Sequence, residues 1–227
     1  MPDLRTQETL VWSEVARRGG VSFDGVAVVR GPGAREVGEA LLGVGADRII
    51  ADETRIGGPA TRSPIHDIVD SVILLHAWET PGDVDMAAHT AVAWVRPGGT
   101  LVIADLAVDR LRPVRPRSYP SSLLYGAFPD VCDALEARSV SAPRLGAAAV
   151  RAGVDDPRLV PIDRPVGVFS SPAEHRAAVR FGMWRGLDEL DDPEVDGLLA
   201  GVDALAPVVW PHVEWEPWNV LAGRSRR

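Results

Sequence analysis

Lysine is missing altogether: every one of the 24 basic residues is arginine. That absence excludes a phosphate-cradling loop of the GxxxxGK type and any chemistry through a lysine Schiff base, pyridoxal phosphate enzymes included. Cysteine is nearly missing. The single Cys132 can form neither an internal disulfide nor a thiolate zinc cluster. No window approaches 18 uninterrupted apolar residues, so no membrane span is expected. Residues 1–18 carry Asp3, Glu8 and Glu14 and lack a basic-then-apolar order, which argues against a secretory signal. A reducing cytoplasm is the expected location. Acidic residues outnumber basic ones by 32 to 24, leaving a formal charge of −8. A nucleic-acid partner is therefore not expected, because affinity there rests on neutralising phosphates. Arg110, Arg112, Arg115 and Arg117 form a local basic run that reads as a solvated loop.

What is present suits one compact α/β domain. The 227 residues are 46% hydrophobic, enough for a substantial core. Residues 7–18 carry an apolar stripe around Trp12 and predict a short helix. Val26-Ala27-Val28-Val29 is a continuous apolar run that leads into Gly31-Pro32-Gly33. Val37, Ala40, Leu41 and Val44 then recur at helical spacing, Gly45 stops that helix, and Arg48–Asp52 reads as a second strand. Further apolar runs lie at Val69–Leu75, Leu101–Ala104, Val166–Phe169 and near Val220–Ala222. None alternates cleanly with polar residues, the mark of strands covered on both faces. Helices are expected over Asp85–Val95, from Ser171-Pro172-Ala173-Glu174 to about Trp184, and from Asp192-Pro193 onward. The order predicts a doubly wound, mostly parallel sheet with helices on both faces. Residues 1–227 read as a single domain, with 107–143, rich in Pro, Arg and Ser, as an insertion or cap over a substrate cleft.

Four segments in order resemble the class I S-adenosylmethionine (SAM) methyltransferases, whose fold is Rossmann-like. They are the strand and glycine turn Val26–Gly33 with Asp52 ending the next strand; Asp70–His76, like the fourth strand of that fold; Val95-Arg96-Pro97-Gly98-Gly99-Thr100 running into Leu101–Asp105, like its fifth; and Val213–Arg224, like its closing strand. The resemblance implies a seven-stranded sheet with its last strand antiparallel. It implies SAM as cofactor, held by Gly31, Gly33, Asp52, Thr61 and Leu75, with Asp52 accepting both ribose hydroxyls. Departures accompany it. Val29 stands where the family carries an acid, and Arg30 and Arg35 flank the turn, an arrangement that would also suit an anionic ligand. Asp52 and Asp70 are too close for a helix, a strand and two turns, so Ala60–Pro64 reads as a bare remnant of the third strand.

His76 ends a presumed strand at the edge of the cleft and is the first candidate for a catalytic base; the alternative is a buried histidine satisfied by a neighbour. Glu79 is a second acid/base candidate, and Trp78 a substrate wall. Tyr119, Tyr125 and Phe128 lie in the insertion, where aromatics suit an aromatic or polyketide-like substrate. His66, Asp67, Asp70, His76 and Glu79 lack HExxH spacing, so no metal is expected. His89 reads as structural and His175 as solvated. Trp210, Trp215 and Trp218 read as core or edge-strand residues; an exposed cluster would mark a homodimer surface. Asn219 is the only asparagine, and no NPPY-like segment occurs. The function expected is SAM-dependent O- or N-methylation of a small molecule, as in secondary metabolism. The alternatives are an enzyme of the same fold that has lost methyl transfer and performs cyclisation or decarboxylation, and a non-catalytic binding protein.

Overall fold

The computed structural model describes residues 3–54, 68–111, 120–205 and 209–226. In chain order the first elements are α1 (Leu4–Gly19), β1 (Gly25–Arg30), α2 (Ala34–Val44), β2 (Ala46–Asp52), β3 (Val69–Leu75), α3 (Val84–Trp94) and β4 (Val95–Leu106). Then follow α4 (Val108–Leu111), α5 (Ser122–Ala127), α6 (Pro129–Arg138), α7 (Ala142–Ala152), β5 (Val154–Phe169), α8 (Pro172–Arg180), α9 (Asp192–Asp203) and β6 (His212–Ser225).

The apolar runs become strands of one sheet in the order β2-β1-β3-β4-β6-β5. β1 pairs in parallel with both β2 and β3, and β3 with β4, while β6 runs antiparallel to β4. Doubly wound architecture and an antiparallel last strand thus match expectation. The strand number does not: six strands are found among the described residues rather than seven. The expected third-strand remnant, Ala60–Pro64, lies outside the described residues, among which β2 is an edge strand. β2 lies on one side of β1 and β3 on the other, so the chain reverses its direction of travel across the sheet there. In such sheets the crevice above the carboxyl ends of the two strands at the reversal is where ligands bind. Here those ends are Arg30-Gly31 and Leu75-His76.

The chain divides into two compact units. The larger comprises Arg5–Leu106, Ser139–Ile162 and Trp218–Arg227. Its core joins β3 and β4 to α3 and α7, through Ala87, Ala88 and Ala91 on one helix and Leu145, Ala148 and Ala149 on the other. These small side chains let the helices approach closely, while Leu74, Leu101 and Trp78 supply the bulk. α2 buries Val37 and Leu41, each worth roughly 1.5–3 kcal/mol, with Ala40 beside them. Gly38 lets α2 sit against β2, since a Cβ there would lie 2.6 Å from Ile49 Cγ2.

The smaller unit comprises Met1–Leu4, Ala107–Arg138 and Asp163–Pro217. Within it α8 starts at an N-cap, Ser171, whose hydroxyl accepts the Glu174 N–H at 3.3 Å. It ends at Arg180 rather than near Trp184, because Phe181-Gly182 turns out of the helix with Gly182 at φ +88°. Asp191 and Glu194 form a capping box on α9, and Arg176 pairs with Asp203 at 2.7 Å.

Candidate functional site

The glycine turn is fixed by two constraints. Gly31 has φ +110°, and a Cβ on it would lie 2.0 Å from the Leu75 carbonyl oxygen, so β1 and β3 can close only over glycine. Gly33, at φ +83°, forms the N-cap of α2 without a side-chain cap of its own. The cap comes from a residue the sequence reading did not single out. Glu53 follows β2, and its carboxylate accepts the Gly33 N–H at 2.8 Å and the Arg35 N–H at 2.9 Å. A carboxylate on the free N–H groups of a helix start is favoured by hydrogen bonding and by the helix dipole.

Asp52 is engaged differently. Its Oδ1 accepts the Thr54 N–H at 3.0 Å, and its Oδ2 lies 3.4 Å from Arg30 Nε. Arg30 is buried, and donates from Nη2 to Thr54 Oγ1 at 2.9 Å. The guanidinium beside the turn is thus held by Asp52 and Thr54. A carboxylate has about four lone-pair sites, and Glu53 spends two of them on backbone N–H groups while remaining exposed. Thr61 lies outside the described residues, and Leu75 is buried with its carbonyl against Gly31.

On the other side of the crevice, β3 and β4 are in register from Ser71 opposite Thr100 to Leu75 opposite Ala104, so the next pair is His76 and Asp105. His76 Nδ1 lies 2.7 Å from Asp105 Oδ1. Asp105 is wholly buried and also accepts the N–H groups of Leu106 at 2.7 Å and Val140 at 2.6 Å. Both backbone partners are N–H donors, one on each oxygen, and a carboxylate so held only accepts. The hydrogen-bond network therefore puts the imidazole proton on Nδ1 and leaves Nε2 with its lone pair. The His76 side chain is 11% exposed. Its backbone has φ +45°, a left-handed conformation that costs a non-glycine residue about 1–3 kcal/mol and concentrates at functional positions. The His76 N–H donates to the Ala104 carbonyl at 2.8 Å and pins that conformation.

Trp78 is fully buried in the core, its ring 5.6 Å from that of His76, and Glu79 is exposed beyond it. In the smaller unit Tyr125 lies on α5 and donates to the Arg185 carbonyl at 3.3 Å. It lines a small cavity with Ser121, Trp184, Glu214, Trp215 and Glu216. Burial pushes the Tyr125 hydroxyl's pKa well up from its ordinary value, so it remains a neutral donor. Tyr119 lies outside the described residues.

His175 corrects an expectation: it is fully buried rather than solvated. Its Nε2 lies 3.1 Å from Glu214 Oε2, and Phe169 and Trp184 pack around the ring. A first-turn helical position reads as solvated only when nothing covers it, and here β6 brings Glu214 over it. Burial alone would raise the Glu214 carboxyl's pKa. The His175 hydrogen bond, aided by His212 and by the Ser121 N–H at 3.1 Å, outweighs this and holds it below the usual range.

No family model matches the chain, and no curated protein does. Solved structures do. A candidate methyltransferase from an antibiotic biosynthesis pathway of Anabaena variabilis ATCC 29413 is similar over 98% of this chain and 97% of its own, at 14% identity and a TM-score of 0.59. A candidate methyltransferase from Bacillus halodurans C-125 covers 94% and 97%, at 13% identity and a TM-score of 0.48. The N-methyltransferase NodS from Bradyrhizobium japonicum WM9, crystallised with S-adenosylhomocysteine, covers 98% and 87%, at 11% identity and 0.44. The first of these likenesses extends over nearly the whole of both chains and shows the fold: this is the architecture of the class I SAM-dependent methyltransferases.

Proposed function

We propose that the protein is a SAM-dependent methyltransferase acting on a small molecule. The observation that carries this reading is the Glu53 carboxylate seated on the N–H groups of Gly33 and Arg35. It stands at the end of β2 beside the glycine turn, with two lone-pair sites left over for a vicinal diol such as a ribose. In this reading Glu53 takes the sugar, and Asp52 neutralises Arg30 and keeps its guanidinium from a cationic ligand. Gly31 and Gly33 let the backbone approach the cofactor. When bound, that cofactor supplies a methyl group already activated by sulfonium charge. What is left to the protein is to orient the acceptor, exclude water and receive a proton, and His76 Nε2 is the group suited to receive it.

One observation favours a second reading, an enzyme of this fold working without SAM. Arg30 places a guanidinium beside the glycine turn where the family carries an acid close by, an arrangement that would also suit an anionic ligand. Titration calorimetry with SAM and S-adenosylhomocysteine separates the two. Under the first reading both bind with micromolar affinity; no heat from either at millimolar concentration removes it and leaves the second.

A further inference from the structure

We infer that the acceptor is a hydroxyl compound, methylated on oxygen, with His76 as the catalytic base and Asp105 as its positioning residue. This rests on the transferase reading and narrows it to a substrate class. Different acceptors make different demands on the protein. An aromatic amine, neutral near pH 7, carries its own lone pair, attacks a sulfonium methyl unaided, and loses its extra proton to water afterwards; an alkylamine is an ammonium ion there and would bring a second cation up to the sulfonium. A hydroxyl is different. A phenol of ordinary acidity, pKa about 10, is almost wholly protonated near neutral pH and is then a poor nucleophile. It gains from a base that takes its proton as the new bond forms.

The protein has built such a base. Asp105 is fully buried and held by three N–H donors from β3, β4 and the segment ahead of α7. Its position is therefore fixed, and it fixes the His76 ring and tautomer in turn. His76 adopts a strained left-handed backbone at the carboxyl end of β3, one strand away from the glycine turn. Trp78 packs beside the ring on the core side. An enzyme that only held an aromatic amine in line would need no such base.

In the step itself, the acceptor oxygen forms a bond to the methyl carbon while the carbon–sulfur bond breaks with its electron pair left on sulfur. The hydroxyl proton passes to His76 Nε2. Positive charge thereby moves from the sulfonium to an imidazolium whose Nδ1–H already faces the Asp105 carboxylate, and the proton then leaves to solvent. Atoms and charge balance with no further reactant.

The test uses the full-length protein with SAM and matched ring acceptors: phenol, catechol and 2-naphthol against aniline, 2-aminophenol O-methyl ether and 2-naphthylamine. Methylated products are read by mass spectrometry. Transfer to hydroxyl acceptors is expected, with His76→Gln lowering kcat by about 10²–10⁴-fold and moving KM little. Asp105→Asn should lower kcat comparably, since an amide facing Nδ1 favours the wrong tautomer. A readout independent of turnover is the ¹⁵N spectrum of the His76 imidazole, which should report Nδ1–H in the wild type and Nε2–H in Asp105→Asn. Retained affinity for S-adenosylhomocysteine certifies that each variant is folded. Transfer to amines alone, or to neither class while S-adenosylhomocysteine binds, overturns the inference and leaves the transferase reading standing. So does full activity of His76→Gln, or an Nε2–H tautomer in the wild type. Absence of S-adenosylhomocysteine binding overturns both.

Discussion

Asp70, at the start of β3, accepts the backbone N–H of Val26 at 2.8 Å and so fastens the amino end of one central strand to its parallel neighbour. Its other oxygen takes Arg96 Nε at 2.5 Å. The Val26 hydrogen bond, together with the Arg96 guanidinium, holds the carboxyl's pKa below its ordinary 3.8 against the opposing effect of burial. A carboxyl depressed in the folded state stabilises the fold above its unfolded pKa and loses that contribution as the pH falls through the folded value. Asp70→Ala should therefore cost about 1–2 kcal/mol at pH 7, and the gap to wild type should close below pH 4. Urea denaturation at both pH values checks this; an equal gap at both would refute it.

Gly31 and Gly98 form a matched pair. Both have positive φ, +110° and +75°, but a Cβ meets the Leu75 carbonyl at one and open space at the other. Gly31→Ala should destabilise by about 2–4 kcal/mol and Gly98→Ala by about 1 kcal/mol. Thermal unfolding of the two variants reads the difference directly.

Glu53 and Asp52 are adjacent in sequence but engaged differently, one on the glycine turn and the other on Arg30. Glu53→Ala should weaken S-adenosylhomocysteine binding by roughly ten- to a hundredfold, the worth of one or two charge-assisted hydrogen bonds. Asp52→Asn should weaken it less for a neutral sugar analogue such as adenosine than for SAM, because its loss unmasks Arg30 against the sulfonium. Calorimetry with the three ligands distinguishes the two roles.

Glu214 anchors the smaller unit. Removing it as Glu214→Ala leaves His175 Nε2 and the Ser121 N–H buried without an acceptor. A loss of about 2–4 kcal/mol is expected, together with faster amide exchange around α8. His175→Ala in the Glu214→Ala background should cost much less than either change alone, as a double-mutant cycle would report.

The strands β1 to β4 and β6 and the helices α2 and α3 were legible because burial on both sheet faces leaves continuous apolar runs, and glycines punctuate them; of β5 only the end, Val166–Phe169, was, because buried and exposed residues mix along its first half. The segment 107–143 was harder. Read as an insertion rich in Pro, Arg and Ser, it contains α4, α5, α6 and the start of α7, short helices that bury only two to four residues each. α7 escaped notice because its buried face is alanine, a residue too mildly apolar to mark a stripe. At the site, His76 stood out at a strand end. Its partner Asp105 was equally readable in principle, since both follow apolar runs that pair in parallel, but the register that makes them opposite exists only in the folded sheet. Glu53 stayed hidden behind Asp52 because two consecutive acids look interchangeable until their partners are known. His175 was misread because Glu214, its partner, lies far along the chain.

β6 follows β5 along the chain, yet it is inserted between β4 and β5. While the polypeptide is still emerging from the ribosome, β4 therefore carries an open, apolar edge and β5 has no neighbour on that side. The unfinished sheet must wait for its final strand, so a chaperone that shields β4 should raise the soluble yield more than one acting after release.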